Sequence, residues 1–162
     1  MAQFAGIGLG LLALIIPFLI GSSLPAGAGT TQVTSGKPAK FCRRYNAETL
    51  DRLRDGRQIF VITITAFRPA ANSTGQFSVN LLTNHGSSRQ EIDRFAVFPL
   101  SAFSIEQSKS AKRFGVSLAD HARWLNSETE TCLEISFPIY PGKPDASVAE
   151  VNIEIETAPL QK

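Results

Sequence analysis

Histidine, cysteine, tryptophan and methionine are scarce in this chain of 162 residues: two, two, one and one. Each shortage excludes a class of chemistry. His85 and His121 lie far apart, and neither has a second histidine at the H-x-x-x-H spacing from which zinc and copper sites are commonly built. No C-x-x-C is present to lower a thiol pKa, and no G-x-S-x-G turn accompanies either histidine. Basic runs are missing as well. The densest groups are the pairs Arg43-Arg44 and Lys112-Arg113, and the formal charge is only +2, so a solvated surface is expected and nucleic acid is not an expected partner. No catalytic residue, metal ligand or cofactor is assigned.

What is abundant is apolar. At 43% hydrophobic and 19% charged, with eleven phenylalanines, the composition is that of a globular chain with large side chains for an interior. Residues 4–20 form a nearly unbroken apolar stretch, followed by G-S-S-L-P-A-G-A-G with Ala26 and Ala28 at the two small positions. This order predicts a secretory signal peptide over 1–28, cut after Ala28. The competing expectation is an uncleaved anchor, because no Lys or Arg precedes the stretch and it is long for a signal core. Either way the rest of the chain is expected outside the cytoplasm, periplasmic or extracellular, and membrane contact is expected only through an uncleaved leader.

Residues 29–40, rich in Gly, Thr, Ser and Lys, read as a flexible tether to a single domain over 41–162. Asn46 is expected to cap a helix over 47–54 that docks through Leu50 and Leu53 and ends at Gly56. Gln58 to Phe67 is dense in β-branched and aromatic residues and predicts a strand, with Ile62 and Ile64 on one face and Val61 and Phe67 on the other. The turn R-P-A-A-N-S-T-G leads to a second strand with Phe77, Val79 and Leu81 on one face, which predicts a hairpin. A polar loop is expected over 84–90. A strand through Phe95 and Val97 should end at Pro99, and an irregular segment over 101–110 should tuck Phe103 and Ile105 under the fold.

Lys112, Phe114, Val116 and Leu118 alternate with polar or small residues as a further strand. It runs into a short helix capped by Ser117 that carries Leu118, Ala122 and Leu125. Leu133, Ile135 and Phe137 alternate with Cys132, Glu134 and Ser136. The final strand points Ala149, Val151, Ile153 and Ile155 inward, and its acidic outer face is of the kind that discourages edge pairing. Six or seven such strands with one or two short helices predict a mainly all-β fold, an antiparallel sandwich or open barrel.

Cys42 and Cys132 are expected to form one structural disulfide, with Cys132 on the outer face of its strand. The candidate surface contact is Trp124 with Arg123 and His121, where an aromatic and a cation can stack on a partner or ligand. The competing reading has Trp124 sealing one end of the sandwich. A hydrolase built on His85 with Ser87 or Ser88 and Asp93 is the remaining catalytic alternative.

The pieces Phe77-Ser78-Val79-Asn80, Arg94-Phe95-Ala96-Val97-Phe98-Pro99, Lys112 to Leu118, Leu133 to Pro138 and Val151 to Glu156 follow one another in an order that resembles the C-terminal β-sandwich of plant-type polyphenol oxidases and related tyrosinases. The likeness runs from Ile59 to Glu156, although Phe95-Ala96-Val97 lacks the glycine of the family's F-x-G-x-F. No copper-binding helix is matched and no ligand or catalytic residue of the family maps here, so its type-3 copper chemistry does not carry over. The resemblance implies a domain that acts by covering another surface. Together these readings predict an exported, non-enzymatic interaction or accessory module with a protein partner. The alternatives are an accessory or chaperone acting in trans on an exported type-3 copper oxidase, and a small secreted hydrolase.

Overall fold

The structure is a computed structural model that describes residues 30–83, 86, 88–107, 110–125, 130–138 and 146–158. The leader, His85, Ser87 and the turn around Pro141 therefore lie outside the described residues.

Two antiparallel sheets face each other, and neither closes into a barrel. In the first, β1 (Thr31–Thr34) pairs with β9 (Val148–Thr157), β9 with β3 (Gln58–Arg68), and β3 with both β6 (Phe103–Ser104) and β7 (Lys112–Val116). In the second, β2 (Ala39–Arg43) lies beside β8 (Thr131–Ser136), followed by β4 (Gln76–Thr83) and β5 (Ser88–Ala96). The fold is the expected all-β sandwich, with nine strands among the described residues instead of six or seven.

The two longest strands, β3 and β9, hold the first sheet. Their ladder runs from Gln58↔Thr157 to Arg68↔Val148 and is interrupted once, between Ile64 and Ala66. Thr65 is the spare residue, and its hydroxyl donates to the Glu150 carbonyl at 3.3 Å. A bulge shifts every following side chain to the other face. Phe67 therefore points inward with Phe60, Ile62 and Ile64, not outward with Val61 as plain alternation predicts. There it meets Phe77, Phe103 and Phe137 at ring-centroid distances of 5.8, 6.3 and 6.5 Å. Val79, Leu81, Leu133 and Ile135 complete the layer from the second sheet.

Three other expectations are corrected by pairing, and a fourth is narrowed. Of the expected tether over 29–40, the described residues 30–40 belong to the sandwich: Val33 and Ala39 are fully buried, and β1 and β2 join different sheets through a tight turn in which Thr34 and Lys37 exchange backbone hydrogen bonds. The turn after Arg68 does not close a hairpin, because β3 and β4 belong to opposite sheets and the chain crosses between them. The expected loop over 84–90 contains the start of β5, an edge strand whose Ser88 to Glu91 stay exposed, so a polar sequence carries no penalty there. The acidic outer face of β9 guards an edge only in part: β1 covers Val148 to Val151, whereas Asn152 to Thr157 are paired with β3 alone among the described residues, so Glu154 and Glu156 lie along the open side. It faces solvent, with Arg113 of β7 paired to Glu156.

At the end where β3 begins, α1 (Ala47–Arg54) closes the sandwich. Its sequence reading holds: Asn46 Oδ1 accepts from Thr49 N at 2.8 Å, and Leu50 and Leu53 are buried. Asp55 follows the helix and accepts from Arg57 Nε at 2.6 Å, which holds its carboxyl below the usual range. Gly56 takes the chain out with φ of 73°. The neighbouring helix is corrected in kind. Residues Ala119–Trp124 form a 3-10 turn, and Ser117 accepts from Ala119 N in a two-residue turn instead of capping an α-helix. Buried Leu118 and Leu125 flank it, and Arg54 Nη2 donates to the Leu125 carbonyl at 2.8 Å, tying the two end pieces together.

Candidate functional site

Two places on the described surface carry chemistry, at opposite ends of the sandwich. The first lies at the α1 end, on the outer face of the second sheet. Cys42 and Cys132 sit directly opposite each other in the β2–β8 ladder, between Phe41↔Leu133 and Arg43↔Thr131, and are joined by a disulfide with Cα atoms 4.0 Å apart. The outward direction of Cys132 follows from the alternation of β8. That its partner would be the residue straight across an adjacent strand has no sequence signal, because it depends on register.

Cys42 is exposed and Cys132 half-buried. Together they line a hollow of about 240 Å³ with Lys40, Leu82, Gly86 and Glu130. A carboxylate oxygen of Glu130 and the two sulfurs lie within 4.8 Å of one another.

One row further along the same face two polar side chains are buried beside an exposed lysine. Lys40, Glu134 and Asn80 are register partners across β2, β8 and β4. Glu134 is 5% exposed and Asn80 3%. Lys40 Nζ is 3.6 Å from Glu134 Oε2. Arg89 Nη2 stands 3.0 Å from Oε1 as an ion pair outside hydrogen-bond geometry, and the same nitrogen donates to Ser136 Oγ at 2.9 Å. A buried carboxylate needs such partners to stay in place.

The second place is the opposite end, where β3 and β5 finish. Here the segment that follows β5 and runs through β6 into the 3-10 turn Ile105–Gln107 exposes three large apolar side chains: Phe98 at 68%, Leu100 at 43% and Ile105 at 48%. Phe103 is tucked under as expected, but Ile105 is not. The segment is fixed to the sheet by Val97 N donating to Gly75 O at 2.9 Å, and Phe98-Pro99 is a cis peptide. Gly75 has φ of 66°, and a Cβ there would stand 2.4 Å from Leu100 Cδ2, so only glycine allows the turn and lets Leu100 lie over it. Beside this segment a shallow hollow of about 320 Å³ is lined by Arg68, Phe103, Gln107 and Glu150 among others.

The contact expected at His121, Arg123 and Trp124 lies on the 3-10 turn at the α1 end. Trp124 is 38% exposed and does not seal the sandwich; Leu125 takes that position. The Arg123 guanidinium lies 5.1 Å from the Trp124 ring centroid, so this cation already stacks on this aromatic within the chain. His121 is half-buried beside them. Tyr45, on the same end, packs edge-on to Phe60 at 6.0 Å, and burial pushes its phenol up from the usual value.

No protein-family model matches the chain, and no curated protein matches it. Among the described residues, no helix is long and apolar enough to cross a membrane.

Proposed function

We propose that the chain is an exported, non-enzymatic β-sandwich of the interaction or accessory class, and that it docks a protein partner through the segment from Phe98 to Ile105, which follows β5 and includes β6. The observation that carries this reading is the exposure of Phe98, Leu100 and Ile105 within eight residues of chain, beside a hollow that supplies Arg68 and Glu150 as polar contacts. Large apolar side chains left in water disfavour the free state and favour a partner that covers them. Placement outside the cytoplasm is supported by the apolar leader with its small-residue site and by the disulfide, which persists in oxidising compartments.

The test is a photo-crosslinking residue placed at Phe98 in the source cells. A discrete adduct that disappears with Ile105→Asp supports the reading. Absence of any adduct, or an adduct unaffected by Ile105→Asp, overturns the docking surface, and turnover by the purified chain in hydrolase or oxidase panels overturns the non-enzymatic assignment. A narrower form of the reading has the partner as an exported type-3 copper oxidase. It rests on the resemblance of the pieces from Ile59 to Glu156 and on their lying in a sandwich. Adducts that never contain such an oxidase discard it.

A further inference from the structure

We propose that Cys42, Cys132 and Glu130 form a redox-gated site for a thiophilic d10 cation of the zinc class. The disulfide is the closed form of the site, and the dithiol is the form that binds. Pairs on either side, Phe41↔Leu133 and Arg43↔Thr131, hold β2 against β8 without help from the sulfurs, so the two cysteines stay opposite each other after the bond is broken.

Zinc–thiolate bonds of about 2.3 Å at a tetrahedral angle need sulfurs roughly 3.8 Å apart. Side chains on directly opposed residues of adjacent strands reach that separation by rotation about χ1. Glu130 is two residues before Cys132, so it projects from the same face of the chain, and its carboxylate already lies within 4.8 Å of both sulfurs. Two thiolates and one carboxylate suit a borderline-soft ion and leave a fourth position open to water. The hollow of about 240 Å³ above them provides the way in. Glu134, the next carboxylate on this face, is held by Lys40 and Arg89, which leaves Glu130 as the oxygen donor.

The gating step balances. Two equivalents of a small thiol, or one dithiol, reduce the bond to two thiols and leave as the corresponding disulfide. A divalent ion then displaces two protons to solvent as the thiolates bind it. Reoxidation by a protein disulfide removes two electrons, restores the bond and expels the ion. Exposed disulfides are the ones open to this exchange. The site lies at the end of the sandwich away from Phe98 and does not depend on the docking reading.

The test uses the full chain after reduction and removal of the reductant. Titration with Cd²⁺ should give thiolate-to-metal charge-transfer absorption that saturates at one ion per chain, with Zn²⁺ competing. The oxidised chain should give none, Cys132→Ser should lose the band, and Glu130→Gln should keep it at an affinity weaker by about tenfold or more. If the reduced apo chain loses its strand circular dichroism, addition of Zn²⁺ must restore it. Equal binding by the oxidised chain, unchanged affinity in Glu130→Gln, no charge-transfer band in the reduced chain, or failure of Zn²⁺ to restore an unfolded reduced chain each overturns the proposal.

Discussion

Replacing Phe67 by alanine tests whether the β-bulge at Thr65 sets the face of everything beyond it. With Thr65 as the spare residue, Phe67 lies 2% exposed among Phe77, Phe103 and Phe137. Without that spare residue it would alternate onto the outer face with Val61. Truncating a fully buried phenylalanine removes its transfer energy and leaves a cavity, together about 3–5 kcal/mol. That is a large part of the roughly 5–15 kcal/mol by which a domain exceeds its unfolded chain.

With a guanidinium m-value of about 4 kcal/mol/M, the midpoint should fall by roughly 1 M. The internal control is the same substitution at Phe98, 68% exposed, where a change within about 0.5 kcal/mol is expected. Unfolding of both variants with the disulfide intact, followed by far-ultraviolet circular dichroism, gives the comparison. A loss for Phe67→Ala below about 1 kcal/mol, or one equal to that of Phe98→Ala, would refute the bulge register and the core built on it.

Asn46→Ala removes the acceptor for Thr49 N and should lower stability by about 1 kcal/mol in thermal melts, with little change for Asn46→Asp. Tyr45 has its phenol raised by burial, so its contribution is intact below the unfolded value near 10 and is lost as pH rises through the folded value, because the unfolded chain gives up the proton first. Denaturant midpoints measured on either side of pH 10 should therefore fall less steeply in Tyr45→Phe than in the parent chain. At the buried carboxylate the two halves of the ion pair are unequal. Glu134→Leu releases Lys40 and Arg89, already 57% and 49% exposed, to water and should change stability little, whereas Arg89→Met leaves a buried charge with Lys40 alone and should destabilise by about 1–3 kcal/mol in the same melts.

What the sequence revealed was local. Asn46 with Leu50 and Leu53 specifies α1 because cap, face and stop all lie within one short segment. The alternation in β4, β7, β8 and β9 likewise named the inward residues, among them Phe77, Val116, Leu133 and Val151. What it concealed was pairing. β1 and β2 are short and carry Thr, Gln, Lys and Arg, and only their partners β9 and β8, far along the chain, make them strands; Cys42 and Cys132 alone are 90 residues apart. The edge strand β5 looks like a loop because an edge needs no apolar face. The turn after Arg68 marks a change of direction, and turn chemistry does not say which sheet the next strand will join. The same limit hid the exposure of Ile105, which the sequence reading puts under the fold beside Phe103 and which is placed only when the chain around it is.

The two candidate sites are separable on physical grounds. β4 runs from Gln76, beside Gly75 and Leu100, to Leu82 in the disulfide hollow. Six residue steps at about 3.3 Å place the two ends roughly 20 Å apart. That is more than twice the screening length of about 8 Å at physiological salt. A charge introduced at Phe98 or Ile105 should therefore leave cation affinity at Cys42, Cys132 and Glu130 unchanged. Glu130→Gln should likewise leave crosslinking at Phe98 intact, and the stability effects of Phe98→Asp and Glu130→Gln should add within about 0.5 kcal/mol. A coupling of 1 kcal/mol or more in that double-mutant cycle would show that the sandwich passes a conformational change from one end to the other, and the two sites would then have to be treated as one.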